Sequence, residues 1–403
     1  MRMTYDFTTI IERHGQDALA VDGLGSGAAP EAPEAGFDFI PMWVADMNFP
    51  VVPAIQEAVI ERVRQPHFGY FAPREEYFAK IVEWQSLRNG VEDLEPKHIG
   101  YENGVLGGVI SALEAFAAPG DEVLVHSPTY IGFTNALANA GFRIVHSPLR
   151  LDGGGVWRMD FDDMERVLSE CSVHAAIFCS PHNPTGRVWE RDEVERAMEI
   201  YRRHDCVVIS DEIWSDIILP GHRHVPTQSV SEDARMRTVA LYAPSKTFNL
   251  AGLVGGYRIV YNGYLRDRIA AQASKSHYNA MNVLSMHALM GAYGAEGRAW
   301  LDELREVIAG NVDFACRYIA ERFDGVALSR PEGTYMLFLD CTAWCAARGA
   351  SLDDLLRAGW RVGVGWQDGR PFHGPCHIRM NLALPLSRVR EALERLDRYV
   401  FNA

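Results

Sequence analysis

The feature that most constrains this chain is the alternation, from about residue 103 to residue 261, of short β-rich runs with helical stretches. Glu122–His126, Phe142–His146, Ala175–Cys179, Cys206–Ser210, Thr238–Tyr242 and Tyr257–Tyr261 are rich in β-branched, aromatic and other apolar residues and are bounded by turn-formers, so each reads as a strand. Between them, Gly104 to Ala117 reads as a helix opened by a glycine, and Val194, Ala197, Met198 and Tyr201 fall on one helical face. Strands that alternate with helices build a mostly parallel sheet sandwiched by helices, an α/β fold that binds ligands at the carboxyl ends of its strands. Chemistry is therefore expected in the loops that follow the strands.

Beyond about residue 280 the pattern changes. Leu301, Leu304, Ile308, Val312, Ala315 and Ile319 form the apolar stripe of one helix too long for an ordinary crossover. Strands around Tyr335–Leu339 and His377–Asn381 follow, then a closing helix capped at Ser387 with the stripe Val389, Leu393, Leu396 and Val400. At 403 residues the chain exceeds what one core usually supports. The expected division is an N-terminal segment, 1–50, packing with the small domain, a large α/β domain, 51–280, and a smaller α+β C-terminal domain, 281–403.

Charge and cysteine content narrow the class. Thirty-nine basic against fifty-three acidic residues give a net charge of -14, which argues against nucleic acid or an anionic membrane as partner. Seven cysteines at irregular spacing, without a CxxC pair, suit a reducing compartment better than a disulfide framework or a zinc site. The first residues lack the apolar core of a signal peptide, and no uncharged apolar run reaches the ~18 residues that a membrane span needs. The expected location is cytoplasmic.

Three loops follow predicted strands. In Ser180-Pro181-His182-Asn183-Pro184-Thr185-Gly186-Arg187 the prolines and glycine fix a turn that presents Asn183, either to donate to an oxyanion or simply to cap its own turn. In Ile209-Ser210-Asp211-Glu212-Ile213-Trp214 two adjacent carboxylates face opposite ways, so at most one enters a site. An aspartate desolvated there wants a cation, such as a protonated ring nitrogen, unless it serves only as a cap. In Tyr242-Ala243-Pro244-Ser245-Lys246-Thr247-Phe248 a single lysine stands among small, aromatic and apolar residues. It reads equally as an amine desolvated for condensation with a carbonyl and as a lysine snorkelling out of a buried segment.

The motifs SPHNPTGRVW, ISDEIWSD, APSKTFNLAGL and IRMNLALP together resemble the class I/II aminotransferase superfamily of pyridoxal-phosphate enzymes, fold type I. PMWVADMNFP, the aromatic turn at Tyr70, the run Lys246 to Gly252 and PEGTYMLFLD resemble its carbon–sulfur lyase branch, which includes cystathionine β-lyases of the MalY/PatB type. The resemblance runs from Trp43 to Pro385, and its strength lies in several separated motifs in the right order.

That resemblance implies pyridoxal 5′-phosphate as cofactor, an amino acid as substrate and a homodimer as the active unit. It implies Lys246 as the residue that holds the cofactor and moves the Cα proton, Asp211 as partner of the pyridine nitrogen, and Asn183 as donor to the ring oxygen. Gly104, Val105, Leu106 and Ser245 are implied as phosphate ligands, Tyr130 as the stacking aromatic, and Tyr70 as a residue reaching the neighbouring subunit's phosphate. Arg379 is implied to grip the substrate carboxylate in a two-pronged pair, with Ala45, Asn183 and Tyr335 lining the substrate. Three positions depart from the superfamily pattern: Val254 stands where an arginine is frequent, Ala243 where a serine is frequent, and Trp214 where a tyrosine or histidine usually touches the ring oxygen. Trp214 can donate but neither accept nor ionise. The expected reaction is β-elimination from L-cystathionine or another S-substituted L-cysteine; the alternatives are transamination, another Cα or Cβ reaction, and a non-catalytic regulator built on the same scaffold.

Overall fold

The computed structural model describes residues 3–275 and 279–402. Its main sheet has eight strands. Five of them, Arg143–Leu151, Glu122–Ser127, Val173–Cys179, Val207–Asp211 and Thr238–Tyr242, lie side by side in that order and run parallel. The inner four are nearly continuous apolar runs because they are buried on both faces, whereas Arg143–Leu151, nearer the edge, is polar and partly exposed.

Two expectations about this sheet need correction. The run placed at Tyr257–Tyr261 forms the strand Gly256–Ile259, and it pairs antiparallel with Thr238–Tyr242. The run placed at Phe142–His146 continues as far as Leu151, because Leu149–Leu151 finds a partner in a strand not expected from sequence, Trp157–Met159. A second unexpected strand, Ile99–Glu102, forms the opposite edge against Gly256–Ile259.

The helix expected from Gly104 spans Val105–Phe116, with Gly104 as its N-cap at φ 78°. The long apolar stripe belongs to a 28-residue helix, Ala295–Arg322. After it, Met336–Asp340 and His377–Asn381 form the centre of a four-stranded antiparallel sheet. The closing helix spans Leu386–Leu396 with Pro385 as N-cap, so Ser387 lies inside the first turn instead of capping it. Helical dihedrals begin directly after Pro385, and a hydroxyl two residues further in has no free N–H to cap.

The N-terminal segment crosses the molecule. Ile40–Pro41 pairs parallel with Val364–Gly365, and Asn381 then ties the strap that follows: its N–H donates to Met42 O at 2.7 Å, and its Nδ2 donates to Val44 O at 2.9 Å and Asp46 O at 2.7 Å. Arg13 holds the strap from outside through an ion pair with Asp46 at 2.5 Å. This strap carries Ala45 over the carboxyl ends of the parallel strands.

Candidate active site

A cavity of about 210 Å³ opens at those strand ends. One wall is the start of the helix Val105–Phe116, where Gly104, Val105 and Leu106 face the cavity together with Asn103 and Gly107. A positive φ at Gly104 is unstrained only for a residue without Cβ, and the first N–H groups of a helix have no intrahelical partner. The result is a cradle for an anion.

The floor is made by the three loops. Their strands are hydrogen-bonded neighbours, with Cys179 opposite Asp211 and Asp211 opposite Leu241 in register. Asn183, Asp211, Ser245 and Lys246 all line the one cavity. Lys246 does not snorkel to the surface: its Nζ donates to Ala45 O at 3.1 Å and lies 5.9 Å from the Trp214 ring centre. Burial pulls its ammonium down to about 8, with Arg379 adding to the drop while Asp46 and Asp211 oppose it.

Asp211 is only 4% exposed and accepts from the Ile213 N–H at 3.0 Å. Burial pushes its carboxyl up to about 7, against the pull of that N–H and of Lys246. It is a carboxylate short of a cation. Asn183 is fixed by Arg379, whose Nη1 donates to its Oδ1 at 3.0 Å. The acceptor end of the amide is thus occupied, which leaves Nδ2 as the end free to donate to a ligand.

Arg379, on the strand His377–Asn381, also donates from Nη2 to Gln367 Oε1 at 2.6 Å and Trp43 O at 3.2 Å. Its guanidinium lies 4.4 Å from the centre of the Phe372 ring, and its Nε has no partner. Burial pulls it down to about 10. Among the described residues no carboxylate pairs with it, so a buried cation adjoins the cavity with only neutral acceptors around it.

Tyr130 lines the cavity with its ring edge against Phe133, centroids 5.3 Å apart. Gly132 makes room for it, since a Cβ there would lie 2.3 Å from Tyr130 Cε1. Trp214 lines the cavity and packs edge-on against Tyr335 at 4.7 Å. Tyr335 itself is fully buried, does not line the cavity, and leaves its hydroxyl without a partner. Tyr70 stands fully exposed and contributes nothing to the cavity of its own chain.

Of the three departures, Val254 lines the cavity at φ 44°, an uncommon conformation for a β-branched residue, and Ala243 is buried without lining the cavity. Cys179, Ile213, Ala251 and Gly255 line the cavity without having been singled out from sequence. Gln367 and the Trp43 carbonyl, which hold Arg379, were missed too. Asn103, adjacent to the helix-opening glycine, is the one that its neighbours in sequence could have flagged.

Over residues 39–396 the chain matches the family of class I and II aminotransferases. The chain belongs to this family. Family members are pyridoxal-phosphate dependent. Cystathionine beta-lyase PatB of Bacillus subtilis is 34% identical over 89% of this chain and 92% of its own length. The crystal structure of cystalysin from Treponema denticola, which contains a pyridoxal 5′-phosphate cofactor, superposes with a TM-score of 0.89 at 30% identity, covering 99% of each chain. A pyridoxal-phosphate-bound putative aminotransferase from Clostridium difficile does so with a TM-score of 0.89 at 30% identity, covering 98% of this chain and 99% of its own.

Proposed function

We propose that this family member is a pyridoxal-phosphate-dependent carbon–sulfur β-lyase, acting on L-cystathionine or another S-substituted L-cysteine to give pyruvate, ammonia and a thiol. The observation that carries the reading is the convergence of Lys246, Asp211 and Asn183 in one cavity below a helix N-terminus, with Arg379 bonded to Asn183. The similarity to the cystathionine beta-lyase PatB supports the lyase in preference to a transaminase.

The residues fit the cofactor. Gly104, Val105, Leu106 and Ser245 would hold its phosphate, Tyr130 would pack on its ring, Asn183 Nδ2 and the Trp214 indole N–H would donate to its ring oxygen, and Asp211 would pair with its ring nitrogen. The bound cofactor supplies an electron-accepting ring that takes up the pair left behind when a Cα proton departs.

The chain's own residues do the rest. Asp211, short of a cation, keeps the ring nitrogen protonated. Lys246, depressed to about 8, is able to shed its proton near neutral pH and then take one from Cα. Arg379 holds the substrate carboxylate and so orients the Cα–H bond toward the lysine. Ala45, on the strap, borders the space for the substrate side chain, and Tyr335 acts on it only through Trp214, against which it packs.

The same proposal includes a homodimer. Tyr70 at 111%, Phe68 at 60% and Val63 at 49% exposure form apolar surface that a second copy would cover, and Tyr70 would reach that copy's phosphate site. It also includes a cytoplasmic setting, supported by seven cysteines that all stand as free thiols. The same proposal divides the chain into an N-terminal segment, 1–50, a large domain, 51–280, and a small domain, 281–403.

The test is a coupled pyruvate assay with L-cystathionine and a series of S-substituted cysteines, the cofactor spectrum being followed throughout. Stoichiometric pyruvate and thiol are expected. No pyruvate, with amination of the cofactor on mixing with an amino acid, would assign the chain to transamination.

A further inference from the structure

On the far side of the lysine loop lies a second, polar hollow of about 240 Å³. Four stretches of chain meet there: the end of the helix Glu75–Asn89 with Arg88, the segment after Asp211 with Ser215 and Asp216, the turn carrying His222, Arg223 and His224, and the long helix with Arg305. On a protein of net charge -14, three arginines and two histidines face this hollow against the single carboxylate of Asp216.

The nearby acids meet only some of these groups. Asp302 pairs with Arg88 at 2.8 Å, Glu212 is engaged by His224 at 2.7 Å, and Glu332, paired with Arg187, also lies 3.9 Å from His222, which leaves Arg305 and Arg223 as the cations without an ion pair among the described residues. Arg305 donates from Nε to Ile218 O at 2.8 Å, and its terminal nitrogens have no partner among the described residues. Burial and the neighbouring Arg88 pull its guanidinium below the ordinary range, and the carboxylates of Asp302 and Asp216 offset only part of that. Arg223, at the mouth, has no ion-pair partner among the described residues either. His224, 5% exposed, uses Nε2 on Glu212 and leaves Nδ1 unbonded.

Asp216 adds selectivity. It is 5% exposed and accepts from Trp84 Nε1 at 3.1 Å and from Thr247 Oγ1 at 2.9 Å. A carboxylate has about four lone-pair positions, so it retains capacity for one more donor. A ligand that presents acceptor oxygens to guanidinium groups and also one hydroxyl to Asp216 fits both. Hydrogen phosphate has that chemistry, as does a monoester whose alcohol part carries a further hydroxyl; sulfate lacks the hydroxyl at neutral pH. Because Thr247 directly follows Lys246, occupancy of the hollow bears on the backbone that carries the lysine.

We propose that this hollow, bounded by Arg305, Arg223, Arg88 and Asp216, is a second anion site that takes a phosphate group, separate from the cofactor's own phosphate cradle. The proposal is independent of which reaction the enzyme catalyses.

The experiment uses the holoenzyme, so that the cofactor cradle is filled, at constant ionic strength. Inorganic phosphate, glycerol phosphate and sulfate are titrated in turn by calorimetry into the wild type and into Arg305→Gln and Arg223→Gln. One saturable phosphate site per chain is expected, with sulfate weaker. Loss of a charge-assisted pair should weaken phosphate by about tenfold or more in Arg305→Gln, and by less in the exposed Arg223→Gln, while the bound-cofactor spectrum stays unchanged. Tighter binding of the ester assigns the site to a phosphorylated metabolite, and tighter inorganic phosphate assigns it to the free ion. Absence of a saturable site in the wild type, or binding undiminished in both variants, overturns the proposal. Arg223→Gln lies at the surface, so misfolding of the buried variant cannot mask the result.

Discussion

Asp211 and Glu212 are neighbours at the end of one strand, equally out of reach of water, and they are treated in opposite ways. Glu212 accepts from Ser210 Oγ at 2.9 Å, Thr227 N at 3.0 Å and Tyr242 OH at 2.5 Å, and engages His224 Nε2 at 2.7 Å. Those partners outweigh burial and hold its carboxyl below the ordinary range. Asp211, on the other face, has one backbone N–H and rises to about 7. A strand places successive side chains on opposite faces, so a single step in sequence separates a satisfied structural acid from one whose missing partner is a ligand.

Substitutions should separate the two faces. Lys246→Ala, on the cavity side, should lower turnover by ~10⁴-fold or more and remove the visible band of the lysine-bound cofactor, with the melting temperature of the cofactor-free protein little changed. A variant that keeps its turnover would show that the cavity side is misassigned. Glu212→Gln should do the reverse. Breaking a buried, hydrogen-bonded pair with His224 should cost about 3–5 kcal/mol of stability by denaturant unfolding, while kcat per folded molecule stays within about tenfold of the wild type. A large loss of kcat at unchanged stability would erase the contrast between the two acids.

Arg379→Ala tests how far the unsatisfied side extends. It removes a buried guanidinium that lacks a carboxylate, and should raise KM by an amount equivalent to about 2–5 kcal/mol, with a smaller change in kcat. It also frees Asn183 Oδ1, so Arg379→Lys, which cannot restore the two-pronged geometry, should recover little. Unaltered substrate affinity in both would show that Arg379 serves only to orient Asn183.

The strand ends were legible in the sequence because a parallel strand covered on both faces must be an apolar run, and a loop after it must be polar and turn-forming. That logic placed Asn183, Asp211 and Lys246 in loops after strands and allowed at most one of Asp211 and Glu212 into a site; the choice of Asp211 rested on family resemblance. It failed for Ile99–Glu102 and Trp157–Met159, edge strands too short and too mixed to show a period. It failed for the Ser387 cap because proline and serine both occur near helix starts, and only the backbone dihedrals decide between them. The bond from Arg379 to Asn183 spans 196 residues of sequence, and nothing local in either stretch announces it. Tyr335 came from family resemblance alone; the structure places it behind Trp214, one layer away from the cavity surface.

The smallest effect, and the most discriminating, is in the pH dependence of the cofactor-free protein. Asp211 has its folded pKa raised from 3.8 to about 7, so its contribution to stability is full below about 4 and is lost as pH rises toward 7. Lys246 is depressed from 10.5 to about 8, so stability lost to its buried charge returns only as pH rises from 8 toward 10. The two together predict a dip in melting temperature between about pH 7 and 8, where most proteins are near their best. Water entering the open cavity reduces the effect, leaving about 2 kcal/mol for the acid limb. Glu212 works in the opposite direction, since its depressed pKa lends stability that disappears only as the solution becomes more acidic than its ordinary 4.5. Asp211→Asn should therefore flatten the fall between pH 4 and 7 and leave the acid edge in place, whereas Glu212→Gln should shift the acid edge and leave that fall. Cofactor binding should also flatten the fall, because a protonated ring nitrogen supplies the cation that Asp211 lacks. Identical pH profiles for the two variants would mean that the neighbouring acids share one environment after all.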